Sequence, residues 1–235
     1  MKIINCQQGT HEWYQARLGM PTASKIGCII TPTGKETANA ARKRYAFDLV
    51  AERLTKMPSF TPTTGPMQRG KDLEPEALNW YADRNACRDA ITSPGFCVAN
   101  DGISGCSPDA LVGSCGGVEI KCPGMAHYLE IIGSGYIDPA WVLQCHHSMY
   151  VTGAEWWDFV LYTDVRPFSG WVKRITRGLM SMDMIAGALQ SFADEVNALE
   201  TTIRERAGIT DEMMDFDPPI FLDDNAEAMM KGIEL

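Results

Sequence analysis

Apolar positions recur with a helical period in the first third of the chain and with a strand period in the middle. Residues 11–19 (HEWYQARLG) read as a short helix. TASKIGCII follows, with Thr22 and Ser24 placed to cap the next turn. Residues 31–36 (TPTGKE) form a loop by their Pro and Gly, and residues 37–55 read as a helix carrying Arg42, Lys43 and Arg44. Residues 57–66 (MPSFTPTTGP) read as an irregular connection. Residues 67–86 predict a second helix interrupted at Pro75, whose missing N–H predicts a kink beside Glu74. From about residue 88 the period shortens. CRDAI and GFCVA fit a first strand or hairpin, and GISGCS, DALVGS and GVEIKC are alternating segments split by glycines. Residues 138–152 predict a helix with proline at its start, EWWDFVLYT and SGWVKRI are aromatic strands, and residues 176–207 predict a long helix ended by Gly208. This order predicts an α/β (α+β) fold, a mixed central sheet flanked by helices.

At 235 residues and 45% hydrophobic content, the chain suits one domain, or one with a small appendage. No run of about 18 apolar residues is present, and the opening MKIINCQQGTHEWY lacks the apolar core of a secretory signal. A cytoplasmic protein is the expectation. The eight cysteines contain no CxxC pair, which favours reduced thiols over a disulfide framework. The adjacent His146 and His147 would point about 100° apart on a helix, a poor geometry for a shared structural zinc.

The formal net charge of −9 disfavours a simple basic DNA-coating protein. The charge is uneven, however. Residues 211–235 hold eight acids and one base, leaving 22 acids and 20 bases in residues 1–210. A near-neutral body can still carry a basic groove. The acidic segment reads as a solvated, mobile tail or a partner-docking tail.

The segment with the most chemistry runs from Ser107 to Lys121. Read as a hairpin turning through GSCGG, its midpoint is Ser114, and Asp109 and Glu119 each lie five residues away. A symmetric register sets them opposite each other, with Cβ atoms ~4.5–5.5 Å apart. Glu119 and Lys121 then share one face, and Ile120 points to the core on the other. Two facing carboxylates repel unless a cation joins them. Magnesium suits such a site, because few protein oxygens suffice when water and phosphate complete its shell. Phosphodiester hydrolysis uses that ion to polarise phosphorus and acidify a water, and a lysine beside it offsets charge. The alternative is a surface hairpin with a Glu/Lys pair on its wet face. A one-residue slip would flip the faces. Glu74 and Gln144 lie on helices either side of the hairpin. Each alone is ordinary: a helix glutamate is usually solvated, and a helix glutamine often caps or bridges.

In chain order, the residues Trp13…Arg17-Leu18-Gly19…Thr22-Ala23-Ser24, Gly70-Lys71…Glu74, Cys106-Ser107-Pro108-Asp109, Glu119-Ile120-Lys121-Cys122-Pro123 and Gln144…Ser148-Met149-Tyr150-Val151 match one family over roughly residues 11–151. The chain resembles the λ exonuclease family of phage recombination nucleases, within the YqaJ-like, PD-(D/E)xK superfamily. The resemblance implies a restriction-endonuclease-like fold; together with the charge distribution it divides the chain into a nuclease domain over residues 1–210 and an acidic tail over 211–235, the tail having no counterpart in the family. It implies magnesium-dependent 5′→3′ digestion of one strand of linear duplex DNA to mononucleotides, leaving 3′ overhangs. It further implies 5′-phosphate ends as substrate, a homotrimeric toroid, a single-strand annealing protein as partner, and a phage or prophage origin in a bacterial cytoplasm. A PD-(D/E)xK endonuclease is the alternative. Two magnesium ions are expected, with manganese able to substitute. By position, Asp109, Glu119 and the Ile120 carbonyl would be metal ligands, and Lys121 the catalytic lysine. Glu74 and Gln144 would complete the site. Arg17, Ser24 and Ser107 would hold the terminal phosphate, and Met67 stands where a leucine wedges the strands apart. Trp141 replaces a tyrosine of the λ enzyme three residues before Gln144, so no hydroxyl serves there. Arg42, Lys43, Arg44, Arg69 and Lys71 are candidates for duplex contact, the alternative for the 42–44 run being a solvated helix face.

Overall fold

The structure, a computed structural model, describes residues 1–59 and 64–218. Part of the connection read over 57–66, and the tail beyond 218, lie outside the described residues. Among the described residues, eight strands form two sheets. The larger sheet takes β2 (Ile91–Thr92), β5 (Ala110–Val112), β6 (Gly116–Lys121), β7 (Trp156–Leu161) and β8 (Trp171–Thr176), in that spatial order. All its neighbours are antiparallel except β6 and β7, which run parallel. Two parallel strands need a crossover, and α4 (Met125–Ser134) with α5 (Pro139–Thr152) supplies it. The smaller sheet has β1 (Lys2–Ile4), β3 (Phe96–Val98) and β4 (Gly105–Cys106). The expected α/β sheet flanked by helices is therefore the observed architecture.

The layers follow from which side chains the strands expose. On one face of the larger sheet, Val118, Ile120 and Val160 pack with Ala77 and Tyr81 of α3 (Gly65–Arg84). On the other, Trp157, Phe159 and Leu161 pack with Cys145 and Met149 of α5. Leu143 on a further face of α5 joins a second core. It meets Ile26 of the 3-10 helix Ala23–Cys28, Leu49 of α2 (Ala40–Thr55) and Phe192 of α6 (Met182–Ala207). Along α6 the buried residues are Ile185, Ala188, Leu189, Phe192 and Val196, a helical stripe that makes α6 an outer cover. The short α1 (His11–Arg17) precedes the 3-10 helix.

Several expectations are corrected. Helix α3 is continuous through Pro75 rather than interrupted there. Two ties along α3 hold it to the sheet: Arg69 bonds the segment after β6, and next to Pro75 the Tyr162 hydroxyl donates to Glu76 Oε1 at 2.7 Å. CRDAI and GFCVA are not one hairpin, since β2 and β3 belong to different sheets. Gly116 and Gly117 are strand residues, not turn residues. A Cβ on either would lie 2.1 Å and 2.3 Å from the rings of Trp156 and Trp157 on β7, so glycine is what lets β6 approach β7. Thr22 and Ser24 give no side-chain cap; the Thr22 hydroxyl instead accepts from Arg17 at 3.5 Å. Within the described part of the acidic segment, Asp211 pairs with Arg204 and the Phe216 ring sits 4.4 Å from Lys56 Nζ. Among the described residues, no helix is long and apolar enough to cross a membrane.

Candidate active site

The β5–β6 hairpin pairs Ala110 with Val118, Leu111 with Gly117 and Val112 with Gly116, which centres it on Ser114. One further step in that register brings Asp109 beside Glu119. The contact is made through the backbone: Ile120 N–H donates to Asp109 Oδ2 at 2.5 Å. Glu119 is buried at 3% exposure, on the sheet face covered by α5. Its Oε1 accepts from Lys121 Nζ at 2.6 Å and from Gln144 Nε2 on α5 at 2.6 Å. Ile120 points the opposite way, into the core under α3.

Electrostatics join Glu74 to this group. Burial, then the charge of Glu119, raises the Glu74 carboxyl above its ordinary value. Burial, then Glu119 and Glu74, pushes Asp109 well up. Burial pulls Lys121 down, but Glu119 and Asp109 outweigh it and hold the amine more firmly protonated than usual. The Cys145 thiol faces the same field and is pushed well up by its burial, so it stays protonated and offers no soft thiolate. The structure thus brings Asp109, Glu119, Lys121, Gln144 and Glu74 into one charged group.

These residues fit a hard divalent cation. The donors are carboxylate oxygens and the adjoining Ile120 carbonyl, and a cation would relieve the crowding that lifts Asp109 and Glu74. Among the described residues no group of three or more His, Cys, Asp and Glu side chains converges as a ready-made cage. Two carboxylates and a carbonyl are a sparse set, which suits an ion completed by water and phosphate.

A second cluster leads away from Asp109. Ser107 Oγ accepts from Trp13 Nε1 at 2.8 Å, and the Arg17 guanidinium lies 4.1 Å over the Trp13 ring. Arg17 and Trp13 are one helical turn apart on α1, which permits the stack. Ser24 is exposed at the start of the adjoining 3-10 helix. Trp13 stands in the sequence as a motif residue with no role assigned to it, and its spacing of four from Arg17 is the signal for the stack. Met67 is 47% exposed on the first turn of α3. Trp141 stacks between His127 and Phe159, a packing role.

The basic run divides. Arg42 is buried, donates to Glu195 Oε2 at 2.7 Å and to the Ile29 carbonyl at 3.1 Å, and pairs with Glu36 at 3.4 Å. It ties α2 to α6 and leaves the duplex-contact set. Arg44 is exposed and paired with Asp48, and Lys43 is exposed.

A viral recombinase domain of the YqaJ-like type matches residues 12–155, which span every residue of both clusters. The chain belongs to that family. Among solved structures, this YqaJ-like protein is similar to an alkaline exonuclease from Laribacter hongkongensis. The identity is 32% and the TM-score 0.76, over 85% of this chain and 98% of that one; the complex of that exonuclease with dAMP matches equally well. A phage-related exonuclease from Haemophilus somnus 129PT shares the fold at 15% identity and a TM-score of 0.55, over 76% and 95% of the two chains. Among curated protein sequences none matches.

Proposed function

We propose that this YqaJ-like protein is a magnesium-dependent 5′→3′ exonuclease. In this reading it digests one strand of linear duplex DNA to mononucleotides and leaves 3′ overhangs for annealing-type recombination. The observation that carries it is the convergence of Lys121 and Gln144 on one oxygen of Glu119, with Asp109 across the hairpin. The alkaline exonuclease likeness supports the exonuclease class.

The chain's own groups divide the work. Arg17 and the Ser107 hydroxyl take the 5′-phosphate, with Ser24 as a further donor and Trp13 holding the first two in place. Ser107 precedes Asp109 by two residues, so a phosphate bound there puts the first phosphodiester near the acids. Gln144 orients Glu119, and protonated Lys121 offers charge to the phosphate in the transition state. Magnesium held by Asp109, Glu119 and the Ile120 carbonyl, as one ion or two and with manganese able to replace it, supplies polarisation of the phosphoryl group and an acidified water. The homotrimeric ring, the single-strand annealing partner and the bacterial cytoplasm belong to the same reading and rest on the family likeness.

A duplex labelled at the 5′ or the 3′ terminus tests the polarity. With magnesium, the 5′ label should appear first as mononucleotide, and chelation should stop release. Earlier release of the 3′ label, or release undiminished by chelation, contradicts the reading.

A further inference from the structure

Arg69 makes contacts that its assignment to duplex binding leaves unexplained. Its Nη1 donates to the carbonyls of Cys122 and Pro123 at 3.2 Å and 3.3 Å, and its Nη2 pairs with Asp164 Oδ1 at 2.7 Å. These partners follow β6 and β7 by one to three residues, at the point where the chain leaves the sheet just beyond Lys121. Gly124, which precedes α4, gives no side-chain cap to anchor that exit. Arg69 also stands five residues before Glu74 on α3, about 7.5 Å of helix rise. A parallel tie lies beside it: Tyr162 N donates to the Lys121 carbonyl at 2.9 Å, while the Tyr162 hydroxyl donates to Glu76 of α3.

We infer that Arg69 is a positioning residue that clamps the exit of β6 to α3 and thereby sets Lys121 against Glu74. This rests on the nuclease reading above. Three acceptors in two directions match the rigid guanidinium fork, and the point charge of a lysine cannot serve them all. The pairing with Asp164 also satisfies the cation, leaving a poor ligand for a DNA phosphate. The ion pair is about two-fifths exposed on both sides, so its loss should cost little stability and the variant chains should fold.

The test compares Arg69→Met and Arg69→Lys in the full chain. Hydrogen exchange of residues 119–126 gives a readout that needs no hydrolysis. Turnover on linear duplex gives kcat, KM and the salt dependence of KM. The clamp predicts exchange at least about tenfold faster in Arg69→Met and kcat lower by roughly ten- to hundredfold. It predicts no full rescue by Arg69→Lys, and KM and its salt slope unchanged. Wild-type kcat in Arg69→Lys, with raised KM and a salt slope reduced by about one in Arg69→Met, would make Arg69 a phosphate contact and overturn the inference. Unaltered exchange would overturn it too. If wild-type protein digests nothing while exchange still quickens in Arg69→Met, the clamp stands and the nuclease reading alone falls.

Discussion

Lys121 Nζ stands 2.6 Å from Glu119 Oε1, the carboxylate that the proposed magnesium site also uses. Lys121 and a cation therefore compete for one buried acid. Lys121→Met should tighten magnesium binding several-fold in a calorimetric titration while lowering single-turnover cleavage by at least about a hundredfold, the scale of losing one charged transition-state contact. Weaker magnesium binding in this variant would mean that the lysine helps to build the metal site rather than competing with it.

Asp109 is lifted by burial and by two neighbouring carboxylates, so its charge strains the metal-free protein. Asp109→Asn removes that charge and keeps the shape. Its melting temperature without magnesium should equal or exceed the wild-type value, and the rise that magnesium gives the wild type should vanish. Melting curves with and without the ion check this. A variant that melts lower yet keeps the magnesium shift would place the cation elsewhere.

Much of this site is legible in the chain, because it depends on local register. The hairpin about Ser114 follows from spacing alone, and so does the shared face of Glu119 and Lys121. What escapes sequence reasoning is set by distant partners. Gly116 and Gly117 read as a turn, since nothing nearby reveals the Trp156 and Trp157 rings stacked against them. Arg42 reads as a surface cation, because Glu195 lies 153 residues away. Strand β1 is three residues long and exists through its pairing with β3, and α4 lacks a side-chain cap to announce it.

His147 gives a pH signature independent of the nuclease chemistry. It is fully buried on α5, and neither ring nitrogen has a hydrogen-bond partner among the described residues. Burial lowers its pKa from 6.5 to about 3, with Asp101 opposing weakly. The unfolded chain binds this proton below about pH 6.5 while the folded chain refuses it until about pH 3. Stability is therefore unaffected above that window and falls as pH drops through it, by up to ~1.4 kcal/mol per unit. Denaturant unfolding of His147→Leu between pH 7 and 4 should show a shallower loss than the wild type. Equal slopes would mean that His147 takes up its proton in the folded state.

Trp13 carries Arg17 on its ring and donates to Ser107, two residues before Asp109. Arg17→Gln should slow digestion of 5′-phosphorylated duplex to the rate on 5′-hydroxyl ends while leaving the hydroxyl rate nearly unaltered. The ratio of the two initial rates reads this directly. A ratio equal to that of the wild type would remove Arg17 from the phosphate site.

The most direct test of the central claim is digestion of linear against covalently closed circular duplex, in magnesium, by the wild type and by Asp109→Asn. The account predicts loss of the linear form only, and only with the wild type. Cutting of the circles by the wild type, or undiminished digestion by Asp109→Asn, would contradict it.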